Sequence, residues 1–145
     1  MPAHISIIIS CYNTKPEFIQ EAIDSVKKHK GKYVYNIIVV DDGSTDESTL
    51  YYLRNISDNT IQIITQENRG LAGARNTGVR HSDTNHFLFL DSDDRIKPNY
   101  IEEGMNILTA DKQIGVVYAD AEIFGDGSRS KFEVGVVLSK VNYSW

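Results

Sequence analysis

A chain of 145 residues with 41% hydrophobic and 24% charged side chains and three prolines is sized for one domain, whose core should hide roughly two-thirds of the surface the unfolded form exposes. Its formal net charge of −5 lacks the clustered Lys and Arg that phosphate-backbone binding needs, so nucleic acid is not an expected partner. The single cysteine, Cys11, rules out an internal disulfide, and no run approaches the ~20 apolar residues of a transmembrane segment, which together suit a cytoplasmic protein.

The elements follow in chain order. His4–Ser10 reads as a strand because isoleucine dominates a short run that stops at "CYN". In "TKPEFIQEAIDSVKKHK" the residues Phe18, Ile19, Ala22, Ile23 and Val26 share one helical face, and Thr14 and Glu17 have the spacing of a capping box. The basic run "KKHKGK", Lys27 to Lys32, suits the solvated end of that helix, where cations complement the dipole, better than a lipid-binding patch. Tyr35–Asp41 is a second strand. A second helix is expected from near Ser44, where Ser44 and Glu47 repeat the cap spacing and Leu50 and Leu53 give the apolar side. Thr60–Thr65 is a third strand, Leu71–His81 a third helix and His86–Asp91 a fourth strand. A fourth helix follows Pro98 through Ile101, Met105 and Leu108. Two late strands are expected, Ile114–Ala119 and Phe132–Leu138, with "FGDGSRS" at Phe124–Ser130 as the turn between them.

The first, second and fourth strands are almost continuously apolar, as suits strands covered on both faces. Strand and helix alternating at short intervals predicts an α/β fold: an open, mostly parallel sheet with helices on both faces. Ligands of such sheets sit outside the carboxyl ends of the strands. Those ends read "SCYN", "DDGSTD", "QENRGLAGARNTG" and "DSDDR".

Asp, Ser and Thr in "DDGSTDES" could serve only to start a helix, but adjacent like charges at Asp41 and Asp42 need hydrogen-bond donors or a ligand to hold them. Gly70, Gly73 and Gly78 lack G-x-G-x-x-G spacing, so no dinucleotide fingerprint is present. Ala74 and Gly78, four apart, suit close helix–sheet packing; such an approach also brings Arg75 and Asn76 toward a ligand, and for Arg75 both readings stand. In "LDSDD", extended backbone would project Asp91 and Asp93 to one side, and two converging carboxylates suit Mg²⁺ or Mn²⁺ shared with a phosphorylated ligand. An acidic turn that merely caps the next helix is the plain alternative.

The series "ISIIISCYN", "IIVVDDGSTD", "ENRGLAGARNTG" and "FLFLDSDD", in this order, resembles the nucleotide-binding half of family 2 glycosyltransferases, which have the Rossmann-like GT-A fold. The resemblance implies that Tyr12 stacks on the base of a nucleotide-sugar donor, a UDP-sugar first, and that Asp42 accepts a hydrogen bond from the base. It implies that Asp91 and Asp93 form the DxD element, Asp91 near the ribose or metal and Asp93 as main ligand of Mn²⁺ or Mg²⁺. Asn13, Gly70, Arg75 and Asn76 would line the donor pocket. Transfer to a hydroxyl of a sugar or glycan acceptor, with inversion, is the implied reaction; the expected location is the cytoplasm, and peripheral contact of the full-length protein with the inner face of the membrane stays open.

Family members continue into an acceptor-binding half that carries the general base. The chain stops at "VNYSW", so residues 1–145 are expected to be one donor-binding domain cut before that half, with no catalytic base assigned. A non-catalytic nucleotide-sugar-binding module is therefore the alternative. A response-regulator receiver fits less well, because its acid pair should follow the first strand. A haloacid dehalogenase-like phosphatase would need Thr or Val where Asp94 stands, and a sugar nucleotidyltransferase a Gly-rich basic loop where "SCYNTKPE" stands.

Overall fold

A computed structural model describes residues 2–123 and 130–132. The chain divides into two compact units, the first ending at Tyr100 and the second beginning at Ile101. The first holds β1 (Ile5–Cys11), α1 (Pro16–Lys27), β2 (Tyr35–Asp41), α2 (Glu47–Arg54), β3 (Ile61–Thr65), α3 (Gly70–Arg80) and β4 (Phe87–Asp91). Its four strands are all parallel, in the order β3-β2-β1-β4. α4 (Tyr100–Ala110) leads into the second unit, where β5 (Ala121–Ile123) and β6 (Ser130–Phe132) pair antiparallel.

The strand order places the helices. The chain steps from β1 to β2 to β3 in one direction, then returns past β1 to lay down β4 on its far side. Right-handed crossovers put α1 and α2 on one face and α3 on the other. Side-chain alternation agrees. Ile8, Ile38 and Val40 form a buried cluster with Ala74 of α3, flanked by Ile64 and Val79. Ile7, Ile9, Ile37 and Val39, of opposite parity, are equally buried on the other face, where α1 packs on β1 through its own buried set Ile19, Ala22, Ile23 and Val26. The expected open α/β sheet, with helices on both faces, is what the chain forms. α3 approaches so closely that a Cβ on Gly78 would lie 2.4 Å from Ile8 Cγ2, which is why that helix position is glycine.

Several expectations need correction. Thr14 does not cap α1: Lys15 stands at the N-cap without a side-chain bond, and the Thr14 hydroxyl pairs instead with Ser92 Oγ at 2.8 Å. Pro16 opens that helix, its missing N–H being one that has no intrahelical partner anyway. Ser44 does not cap α2; Asp46 does, accepting from Thr49 N at 2.9 Å. β4 is not covered on both faces: it borders the first unit's sheet, and Phe87 and Phe89 are 36% and 43% exposed. Residues 114–119 are not a strand. After α4 the chain folds back on itself, Ile114 N donating to Asp111 O, and strand propensity alone cannot supply a ladder partner. The short β5 follows at 121–123. Of the sixth expected strand only Phe132 lies within the described residues, in β6, and residues 124–129 of the expected turn lie outside them.

Candidate functional site

The direction of strand addition reverses between β1 and β4. Open α/β sheets bind ligands at such a switch point, at the carboxyl ends of the strands. Register brings those ends level: Cys11 pairs with Asp41, Ser10 with Asp91, and Asp41 with Thr65. "YN", "DGSTD", "QENRG" and "SDD" therefore leave the sheet along one edge.

Tyr12 stands at the rim with 51% of its surface exposed, and its ring stacks on no other aromatic side chain among the described residues. Asn13 follows at φ 50°, a left-handed conformation that asparagine tolerates better than most residues. Its side chain is committed within the protein. Oδ1 accepts from Thr45 N at 2.7 Å and Asp46 N at 2.9 Å, Nδ2 donates to Thr45 Oγ1 at 3.3 Å, and the Asn13 backbone N–H donates to Ser44 Oγ at 2.9 Å. Asn13 thus ties the loop after β1 to the loop after β2. On its other side the first loop is tied across the switch point, through Thr14 and Ser92.

Asp41 and Asp42 are both buried, and donors hold each of them. Asp41 Oδ1 accepts from Ser44 N at 2.9 Å. Asp42 Oδ1 accepts from Gln66 Nε2 at 2.6 Å and Arg69 N at 2.8 Å. Asp42 is 4% exposed, and its second oxygen has no partner among the described residues. The loop after β2 needs glycine where the loop after β3 packs on it: Gly43 has φ 78°, and a Cβ there would meet Asn68 N at 2.8 Å. Beneath the acids, Cys11 is buried, and burial with the charges of Asp41 and Asp42 pushes its thiol up to about 12.

Arg75, on α3, reaches over β4, where Nη2 donates to Asp91 Oδ1 at 2.6 Å and the guanidinium lies 5.7 Å from the Phe89 ring centroid. Asn76, one residue on, is exposed, and its side chain makes no hydrogen bond to a described residue. Gly70 starts α3 at φ 72° with open space where a Cβ would stand, so conformation rather than crowding selects it.

The alternation expected to carry Asp91 and Asp93 to one side stops at Asp91. Asp94 N donates to Asp91 O at 3.0 Å, closing a turn that buries Ser92 and exposes Asp93. The three acids still share one field: partial burial, then the charges of Asp93 and Asp91, hold the Asp94 carboxyl above its usual range. No group of three or more His, Cys, Asp or Glu side chains forms a cage among the described residues. Asp91 is partly exposed and Asp93 exposed, and solvent-accessible carboxylate oxygens are the donor type that a hard divalent ion would take, with water and ligand phosphate completing its shell.

The structure thus gathers Tyr12, Asn13, Asp42, Arg75, Asp91 and Asp93 along one edge, with Gly70 opening the helix that carries Arg75. Sequence reasoning passed over Gln66, Ser44, Thr45 and Ser92 as site-building residues. Gln66 could have been found from register, because it is the first residue beyond the Asp41–Thr65 pair.

The model of a family described as glycosyl transferase family 2 matches residues 6–136. Glycosyltransferase GlyA of Streptococcus pneumoniae is 38% identical over 99 residues, 68% of this chain and 14% of that protein. UDP-Glc:alpha-D-GlcNAc-diphosphoundecaprenol beta-1,3-glucosyltransferase WfgD of Escherichia coli is 33% identical over 125 residues, 86% of this chain and 48% of that protein. Among solved structures, S. aureus TarS 1-349 in complex with UDP-GlcNAc superposes with a TM-score of 0.62 at 20% identity, over 83% of this chain and 40% of that one, which speaks to the fold. The chain therefore spans from 14% to 48% of the length of these proteins.

Proposed function

The chain belongs to glycosyl transferase family 2, and on that premise we propose that the edge formed by the exits of β1, β2 and β4 binds a nucleoside-diphosphate sugar, a UDP-sugar first, for transfer to a hydroxyl of a sugar or glycan acceptor. The observation that supports this best is the open oxygen of Asp42. A carboxylate otherwise enclosed by protein donors keeps one acceptor free at the exit of β2, level with the β1 exit that carries the exposed Tyr12 ring, which suits a base that stacks on Tyr12 and donates an N–H to Asp42. The names of WfgD and of the TarS complex, both uridine nucleotide sugars, point the same way.

Arg75 faces the donor's diphosphate from α3, and Asn76 and Gly70 line the same approach. Asn13 acts by fixing Tyr12 and the loop after β2. Asp91 and Asp93 would hold Mn²⁺ or Mg²⁺, whose charge would offset the charge that grows on the departing nucleoside diphosphate. Inversion at the sugar carbon, and a general base on the acceptor side, belong to the proposed activity of the whole protein. So does a cytoplasmic location, at or near the inner face of the membrane; no helix among the described residues is long and apolar enough to cross one.

A thermal-shift series with UDP, GDP and ADP, each with and without Mn²⁺, tests the reading. At one hundred times its dissociation constant a true ligand should stabilise the fold by about 2.7 kcal/mol, or several degrees. No shift with any nucleoside diphosphate in the presence of Mn²⁺ would refute it.

A further inference from the structure

Gln66 is the first residue beyond β3, and its side chain is the nearest neighbour that Asp42 acquires from outside its own strand exit. The amide has a definite orientation. Asp42, as a carboxylate, only accepts, so the group 2.6 Å from its Oδ1 must be the Gln66 NH₂, and the amide oxygen must point the other way. That oxygen, Oε1, is buried and has no hydrogen-bond partner. Buried amide oxygens are nearly always paired, and leaving one unpaired is unfavourable. A methionine or leucine would fill similar space without an orphan acceptor. The one thing glutamine supplies here that they do not is the short bond to Asp42.

We propose that Gln66 is a positioning residue for base selection: it clamps Asp42 Oδ1, together with the Arg69 N–H, so that Oδ2 alone faces the ligand as a fixed acceptor. This rests on the function proposed above. Two donors converge on one oxygen, and no described residue bonds the other. A second tie holds the same register: Gln66 N donates to Asp41 O at 3.0 Å, so the exit of β3 is fastened to the exit of β2 by main chain and side chain together. A carboxylate held in this way discriminates by chemistry. Uracil presents an N–H donor at ring position 3, whereas cytosine presents a lone pair there, which an ionised carboxylate repels. A carboxylate free to rotate would tilt out of the plane of the base or admit water, and the contrast between the two bases would fall.

The test is Gln66→Met, with affinities for UDP, CDP and inorganic pyrophosphate measured in the presence of Mn²⁺ alongside thermal unfolding. The lost bond to a charged acceptor and the removed orphan oxygen act in opposite directions on stability, so the melting temperature should stay within a few degrees. The preference for UDP over CDP should fall by about tenfold, as loss of one charge-assisted hydrogen bond implies, while pyrophosphate affinity holds. A folded variant with an unchanged UDP-to-CDP ratio would overturn the proposal, as would equal weakening for UDP, CDP and pyrophosphate, which marks a merely structural role. Wild-type protein provides a second measurement that no folding failure can spoil. The side-chain NH₂ resonance of Gln66 in ¹⁵N-labelled protein should shift on addition of UDP and stay put with pyrophosphate; no shift with bound UDP would contradict the clamp. Wild-type protein that binds pyrophosphate but neither nucleotide would instead refute the proposed base site, and this inference with it.

Discussion

Arg75 Nη2 donates to Asp91 Oδ1 at 2.6 Å, joining α3 to the last residue of β4 where the donor's phosphates are proposed to lie. Both side chains are more than a third exposed, so solvent screens the pair and its contribution to stability should not exceed about 1 kcal/mol. Arg75→Ala should therefore leave the denaturation midpoint nearly unchanged and weaken UDP binding about tenfold or more through the lost cation. Arg75→Lys should recover only part of that loss, since an ammonium lacks the planar fork and the stacking on Phe89. Chemical denaturation and calorimetric titration on the same preparations would separate the two effects; a large stability loss with unchanged UDP affinity would make the pair purely structural.

Asp93 is exposed in a turn and bears no structural load that the hydrogen bonds reveal. Asp93→Asn should be neutral for stability, within about 0.5 kcal/mol. It should abolish most of the difference in UDP affinity between Mn²⁺ and EDTA. Titrations in the two conditions check this. A full metal effect surviving the substitution would move the ion elsewhere.

Gly78→Ala would place a methyl 2.4 Å from Ile8 Cγ2, in the middle of the sheet. Alanine is the better helix former, yet the overlap should dominate and destabilise the fold by about 1–3 kcal/mol. Urea unfolding measures it, and a stabilised variant would contradict the close approach of α3 to β1.

Cys11 should be almost inert in the native state. Raising its thiol from 9.0 to about 12 lowers the thiolate fraction at neutral pH about a thousandfold, before any steric protection. Alkylation by iodoacetamide should track global unfolding. The sign of the linked stability follows: folding holds the thiol protonated, so this contribution is intact below about pH 9 and declines as pH rises toward about 12. Cys11→Ser should flatten that alkaline decline, as pH-dependent denaturation curves would show.

Much of this arrangement was legible in the residues themselves. Continuous isoleucine and valine runs marked β1 and β2 as covered on both faces, and "CYN", "DDGSTD" and "LDSDD" marked strand exits by the abruptness of their polarity. What escaped was decided by partners far away in sequence. Thr14 has cap spacing but finds Ser92, 78 residues on. Ser44 has cap spacing but receives the Asn13 N–H instead. Phe87 and Phe89 have the composition of a central strand, yet position in the sheet, not composition, decides burial. Gln66 carried no local signal, because its importance lies in the carboxylate that strand register sets beside it.

The most direct test is a crystal structure of the protein with UDP and Mn²⁺. Uracil should lie against Tyr12 with its ring N–H on Asp42 Oδ2, the diphosphate should approach Arg75, and the metal should sit between that diphosphate and the acids at positions 91 and 93. UDP bound elsewhere, such as in the groove between α1 and α2 lined by Gln20, Tyr51 and Tyr52, with the strand exits empty, would contradict this arrangement.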